Sequence, residues 1–133
     1  MLITTFKMQN SILIVEDDLD QARIFRTFLE NNGFEVTCFL DSYEALENFK
    51  LDINYYSIIL TDFRLNGISG TLFAKEIRRL RGKSIFIILM TAYFIDPTLR
   101  EREVVNVIDK VIVKPFTLEF LNKTITSYLN HHN

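Results

Sequence analysis

The sequence predicts an α/β protein built on a parallel five-stranded sheet with helices on both faces. Three observations carry this expectation. Five short runs rich in Ile, Val and Phe, residues 12–15, 34–38, 57–60, 85–89 and 111–113, recur along the chain. Longer segments with helical spacing of apolar residues separate them. The first run and the last three are continuously apolar, as strands covered on both faces are. The second, Phe34-Glu-Val-Thr-Cys38, alternates as a strand nearer an edge does. Regular strand–helix alternation builds a parallel sheet through right-handed crossovers.

Each element has its own signals. After the first strand, Asp18 with Gln21 forms a capping-box pattern. Ala22, Phe25, Phe28 and Leu29 share an inward face, and Gly33 closes the helix in a left-handed conformation. Asp41 with Glu44 repeats the cap ahead of Ala45, Leu46 and Phe49. Thr71 opens a third helix with Phe73, Ala74, Ile77 and Leu80 inward. Its basic end, Arg78, Arg79, Arg81 and Lys83, complements the helix dipole and reads as solvated. Asp96-Pro97 starts a fourth helix running to about Val107. Its apolar end, residues 104–109, favours burial over a docking surface. Thr117 opens the last helix, which carries Phe120, Leu121, Ile125, Tyr128 and Leu129. Residues 1–10 read as a loose arm, 11–130 as one domain, and 131–133 as a frayed tail in which His131 and His132 have no function.

Composition narrows the functional classes. Of 133 residues 48% are apolar and 12 are Phe, far too many for a disordered chain. Fifteen basic against 17 acidic residues, a net charge of -2, argue against a non-specific binder of nucleic acid or anionic membrane. A lone cysteine, Cys38, forms no internal bridge, so a reduced cytoplasmic setting is expected. No segment has the roughly 20 apolar residues of a membrane span, and the opening segment makes a poor signal peptide.

Chemically capable residues follow the apolar runs: Glu16, Asp17 and Asp18 after the first, Asp62 after the third, Thr91 after the fourth and Lys114 after the fifth. Ligands of open parallel sheets bind outside the carboxyl ends of the strands. If the first and third strands are neighbours, carboxylates from two loops converge, which demands a proton or a cation among them. Asp17 and Asp62, with a carbonyl and waters, offer hard oxygen ligands suited to Mg2+. Singly, Asp18 reads as a cap, Thr91 as a structural hydroxyl and Lys114 as a surface charge. Their joint placement favours an anion-handling, cation-assisted site.

Four segments, Ile12-Leu-Ile-Val-Glu-Asp-Asp18, Leu60-Thr-Asp62-Phe-Arg-Leu-Asn-Gly-Ile-Ser-Gly70, Leu89-Met-Thr-Ala92 and Val113-Lys-Pro-Phe116, together resemble the receiver domains of two-component response regulators. The resemblance implies a flavodoxin-like (βα)5 three-layer sandwich with strand order 2-1-3-4-5. It implies that Asp62 accepts a phosphoryl group from a histidine kinase or phosphotransfer protein. It also implies that Mg2+ is held by Asp17, Asp62 and the Arg64 backbone carbonyl, with Glu16 acting through water. Lys114, Thr91 and the Ala92 N–H would receive the phosphoryl oxygens, and the Lys114–Pro115 bond would be cis. Signalling would pass to a downstream protein through the face formed by the fourth helix, fifth strand and fifth helix. The protein would be a monomer or a phosphorylation-dependent dimer, a stand-alone switch with at most slow self-phosphatase activity, touching neither nucleic acid nor membrane directly.

Some positions depart from that pattern. Val111 stands where many receivers carry a switching Tyr or Phe. Asn66 stands where Pro is frequent, in a turn that Gly67 and Gly70 still support. Arg64 and Tyr93 occupy places flanking the path of the hydrolytic water, and neither orients water well, so slow self-dephosphorylation is expected. Two other classes compete with a switch. An aspartate-nucleophile phosphatase needs a second Asp two residues after the nucleophile, where this chain has Arg64. A non-phosphorylated pseudo-receiver would have no need of the full acid, Thr and Lys set.

Overall fold

The computed structural model describes residues 10–92 and 106–132. Five parallel strands form one sheet in the order β2-β1-β3-β4-β5: β1 (Ser11–Val15), β2 (Glu35–Phe39), β3 (Ile58–Asp62), β4 (Phe86–Thr91) and β5 (Lys110–Val113). Helices α1 (Leu19–Asn31), α2 (Ser42–Leu51) and α3 (Gly70–Arg81) and a C-terminal helix (Leu118–His132) cover it. No helix among the described residues is long and apolar enough to cross a membrane. The fourth helix read from the sequence lies almost entirely outside the described residues. Its end does not: Val107 packs on the core and Ile108 is buried.

Strand alternation divides the core between the two faces. Leu13, Val15, Ile59, Ile87 and Leu89 point one way, against Ala45 and Phe49 of α2 and Phe73 and Ile77 of α3. Ile12, Ile14, Ile58, Leu60, Ile88 and Met90 point the other way, against Phe25 and Leu29 of α1 and Leu121 and Ile125 of the C-terminal helix. A strand covered on both sides has no face to leave polar, which is why β1, β3 and β4 read as unbroken apolar runs. The alternating β2 is an edge strand, as its pattern foretold.

The helix boundaries have local causes. The Asp18 carboxylate accepts hydrogen bonds from the N–H groups of Asp20 and Gln21, and Asp41 does the same for Tyr43 and Glu44. The Asp18 N–H donates to the Glu16 carboxylate at 3.2 Å. Gly33, at φ 93°, ends α1 with its N–H on the Glu30 carbonyl.

Several expectations are corrected. Helix α3 starts at Gly70, because Ser69, not Thr71, takes the Leu72 N–H on its side chain. Strands β3 and β4 each run two residues further than their apolar runs, so Asp62 and Thr91 are their last residues. Strand β5, read as covered on both faces, is the second edge, and only Ile112 of its four residues is buried. Phe120 is 45% exposed, off the inward stripe of its helix. The presumed tail is helical through His132, with the His131 ring bonded to the Ser127 carbonyl.

The basic end of α3 is not simply solvated. The Arg78 side chain, 14% exposed, donates to the carbonyls of Val107, Gly82 and Ile85 and to the Asp109 carboxylate at 2.7–3.1 Å. Asp109 in turn accepts the Ile87 N–H. Arg81 donates to the carbonyls of Ile53 and Tyr56. Arg78→Ala is therefore expected to lower unfolding stability by about 2 kcal/mol, because several partly buried acceptors lose their donor together. Urea denaturation checks this; a change within about 0.5 kcal/mol would mean that water replaces the guanidinium.

Candidate functional site

Placing β1 beside β3, and β3 beside β4, brings three strand ends to one point on the carboxyl edge of the sheet. Glu16 and Asp17 follow β1 directly, Asp62 and Thr91 end β3 and β4, and Lys114 follows β5. Glu16, Asp62 and Thr91 are buried, whereas Asp17 is exposed. The Lys114 N–H donates to the Thr91 carbonyl at 2.7 Å, and the Phe63 N–H to the Met90 carbonyl at 2.8 Å, so the strand ends stay in register beyond the sheet.

The carboxylates of Glu16, Asp17 and Asp62 each offer an oxygen within 4.8 Å of the others. Lys114 Nζ donates to Asp62 Oδ1 at 2.7 Å and to Glu16 Oε1 at 3.0 Å. The second Glu16 oxygen accepts the Asp18 N–H, so Glu16 is held from two sides. Around these groups lies a pocket of about 280 Å3 lined also by Gln21, Phe63, Arg64, Met90, Thr91 and Ala92. The Arg64 guanidinium lies over the Phe63 ring, 5.5 Å from its centroid.

One ammonium cannot neutralise two buried carboxylates. Burial, and then the hydrogen bond with Glu16, push the Asp62 carboxyl up to about 8 against the opposing pull of Lys114. Burial opposes charging Lys114 too, but its bonds to Asp62 and Glu16 outweigh that and raise its pKa. Three carboxylates with one ammonium form a hard-oxygen donor set with excess negative charge, which suits a small divalent cation.

Of the site residues read from the sequence, Glu16, Asp17, Asp62, Arg64, Thr91, Ala92 and Lys114 line this pocket, and Val111 and Pro115 do not. Tyr93 lies outside the described residues. Val111 is half-buried and packs against the apolar cluster on the α2–α3 face. The Lys114–Pro115 peptide bond is cis. Two further residues shape the loop that follows Asp62. Gly70 approaches so closely that a Cβ there would lie 1.9 Å from the Asp62 carbonyl oxygen. Ser42, fully buried in α2, bonds the carbonyls of Asn66 and Ile68. The sequence signalled Gly70 only as a turn residue and Ser42 not at all.

Fold and pocket together define a doubly wound α/β domain with an acidic, lysine-bearing pocket at the sheet's carboxyl edge, where ligands of such sheets bind. The chain belongs to the response regulator receiver domain family, which it matches over residues 12–126. Among curated relatives it is 36% identical over 113 residues to the regulatory protein AtoC of Escherichia coli strain K12, spanning 85% of this chain and 24% of that one. It is 33% identical over 118 residues to the response regulator ArlR of Staphylococcus saprophyticus, spanning 89% of this chain and 51% of that one. A two-component response regulator from Clostridium difficile superposes with a TM-score of 0.81 at 27% identity, over 94% of this chain and 99% of that one. The chain thus spans about half or less of the length of these two curated relatives. Receiver domains of this family are phosphoryl-accepting signalling switches of two-component systems rather than enzymes.

Proposed function

We propose that this chain is a phosphorylation switch whose acceptor is Asp62. The observation that carries the reading is the placement of Lys114 Nζ between Asp62 and Glu16, with Asp17 beside them. An Asp62 carboxylate oxygen attacks the phosphorus of a phosphohistidine on a kinase or phosphotransfer protein. The P–O bond forms as the P–N bond breaks, and the imidazole leaves. Lys114 supplies a positive charge to an incoming phosphoryl oxygen, and the Thr91 hydroxyl and Ala92 N–H donate to others. Asp17, Asp62 and the Arg64 carbonyl would hold Mg2+, with Glu16 acting through water. When bound, the cation neutralises charge on the transferring group.

Thr91 ends β4 against Lys114, so drawing its hydroxyl toward the phosphoryl group shifts the segment that follows and biases the β5 side of the domain. Val111 has no aromatic ring to swing there, which leaves the hydroxyl as the coupling element. Downstream, a protein target reads the altered face, with the domain acting in the cytoplasm as a monomer or as a phosphorylation-dependent dimer.

Incubation with acetyl phosphate and Mg2+ is expected to give a single phosphoryl adduct by mass. None is expected after chelation with EDTA or in Asp62→Asn. An adduct that survives in Asp62→Asn overturns the assignment. Arg64, laid over Phe63, and Tyr93 give the hydrolytic water no carboxylate or amide to orient it. The purified adduct is therefore expected to decay over many minutes, and decay within seconds without a phosphatase would sink that expectation.

A further inference from the structure

We infer that Ser42 is a positioning residue for the loop that carries the phosphoacceptor site, an inference that rests on the function proposed above. Residues 63–69 leave β3 just after Asp62 and enter α3 at Gly70. The base of this loop is closed by the Gly70 N–H on the Phe63 carbonyl at 2.8 Å. Its tip is tied to the first turn of α2. The Ser42 N–H donates to the Asn66 carbonyl at 3.2 Å, and Asp41 and Asn66 form an isolated parallel bridge. The Ser42 hydroxyl lies 3.0 Å from the Asn66 carbonyl oxygen and 2.7 Å from that of Ile68.

The helix does not need this hydroxyl. Asp41 already caps α2, with its carboxylate on the N–H groups of Tyr43 and Glu44. Ser42 is completely buried, and a buried hydroxyl without a partner is costly, so its bonds define where the two carbonyls sit. Gly67, between those carbonyls, adopts φ 93°, and a Cβ there would lie 2.6 Å from Ser42 Oγ. A left-handed glycine, a buried hydroxyl and a backbone bridge thus meet at one contact, where the loop after Asp62 touches a helix that starts twenty residues before it. Through that contact α2 sets the path of the peptides between Asp62 and Ile68, including the Arg64 carbonyl proposed to face Mg2+. Ser42 touches neither cation nor phosphoryl group; it acts through the loop.

The test compares wild type, Ser42→Ala and Ser42→Gly with Ser57→Ala. Ser57→Ala removes a side-chain bond to the Ser11 carbonyl at the opposite end of the sheet. In metal-free protein, the amides of residues 64–69 are expected to exchange at least about tenfold faster in both Ser42 variants, with β1 and β3 amides unchanged. Calorimetric titration with Mg2+ is expected to show affinity weakened about three- to tenfold, the worth of one lost hydrogen bond. With acetyl phosphate, the Mg2+ concentration for half-maximal labelling rises by the same factor, while the rate at saturating Mg2+ stays within about twofold. Ser57→Ala leaves Mg2+ affinity at the wild-type value. Ser42 variants that bind Mg2+ as wild type does, or a Ser57→Ala loss as large as theirs, would overturn the inference. Wild type that neither binds Mg2+ nor takes the phosphoryl group overturns the phosphoacceptor reading itself, and this inference with it.

Discussion

Gly70→Ala is expected to lower unfolding stability by about 3 kcal/mol or more and to slow labelling by acetyl phosphate at least about tenfold. The reason is contact, not backbone freedom, since φ at Gly70 is not positive. A Cβ at this first residue of α3 would sit 1.9 Å from the Asp62 carbonyl oxygen, 2.9 Å from the Asp62 carbonyl carbon and 3.0 Å from the Phe63 Cα. All three are backbone atoms, so no side chain can swing away to make room. Either α3 lifts from the sheet, breaking the Gly70 N–H bond to the Phe63 carbonyl, or the end of β3 moves and takes Asp62 away from Lys114. The first route costs packing of Phe73, Ala74 and Ile77, all fully buried. The second costs the site. Urea denaturation and adduct mass against time separate the two routes. A variant within about 0.5 kcal/mol of wild type, labelling at the same rate, would show that the close approach relaxes without cost.

Gly70 also shows where sequence reading stops. Strands β1, β3 and β4 were legible because burial on both faces leaves an unbroken apolar run, and β2 because an edge strand alternates. Their carboxyl ends were less legible for a physical reason. Asp62 and Thr91 are the last strand residues but polar, and hydrophobic periodicity places polar residues in loops. The site itself was largely legible, because its side chains are chemically distinctive and fall at the same end of successive strands. The residues that position it were not. Ser42 looks like an ordinary residue of a capped helix start, and its importance lies in two carbonyls more than twenty residues away. Arg78 and Arg81 look like solvated charges complementing a helix dipole. Only tertiary structure supplies the carbonyls of Val107, Ile53 and Tyr56 on which they close. A side chain whose partners are backbone groups elsewhere leaves no pattern in local sequence, since every residue carries a carbonyl.

In the absence of divalent cation, Asp62→Asn is expected to be more stable than wild type near pH 8 while taking no phosphoryl group. Glu16 and Asp62 are both buried and share one ammonium, so ionising both leaves uncompensated charge in the sheet edge. Burial, then the hydrogen bond that the protonated carboxyl donates to Glu16, raise the folded-state pKa of Asp62 from 3.8 to about 8. A raised folded pKa means that this group's contribution to stability is full below pH 3.8 and is lost as pH rises through about 8. Asparagine has no proton to lose, so the variant escapes that decline. The gap between the two proteins therefore opens from about pH 4 and levels off above about pH 8, at an order of about 1–4 kcal/mol. Lys114 keeps Glu16 as its partner in the variant, which limits what the substitution takes away. Thermal unfolding in EDTA at pH 5 and pH 8.5 reads the gap as a difference in midpoint that is small at pH 5 and grows to several degrees at pH 8.5. Millimolar Mg2+ is expected to raise the wild-type midpoint and leave the variant's nearly unmoved, because a cation that binds only the folded carboxylate cluster stabilises by mass action. Stability curves that run parallel across this pH range, or a variant less stable throughout, would refute the account. The carboxylate crowding that destabilises the metal-free fold is also what gives a cation, and after it a phosphoryl group, a reason to bind.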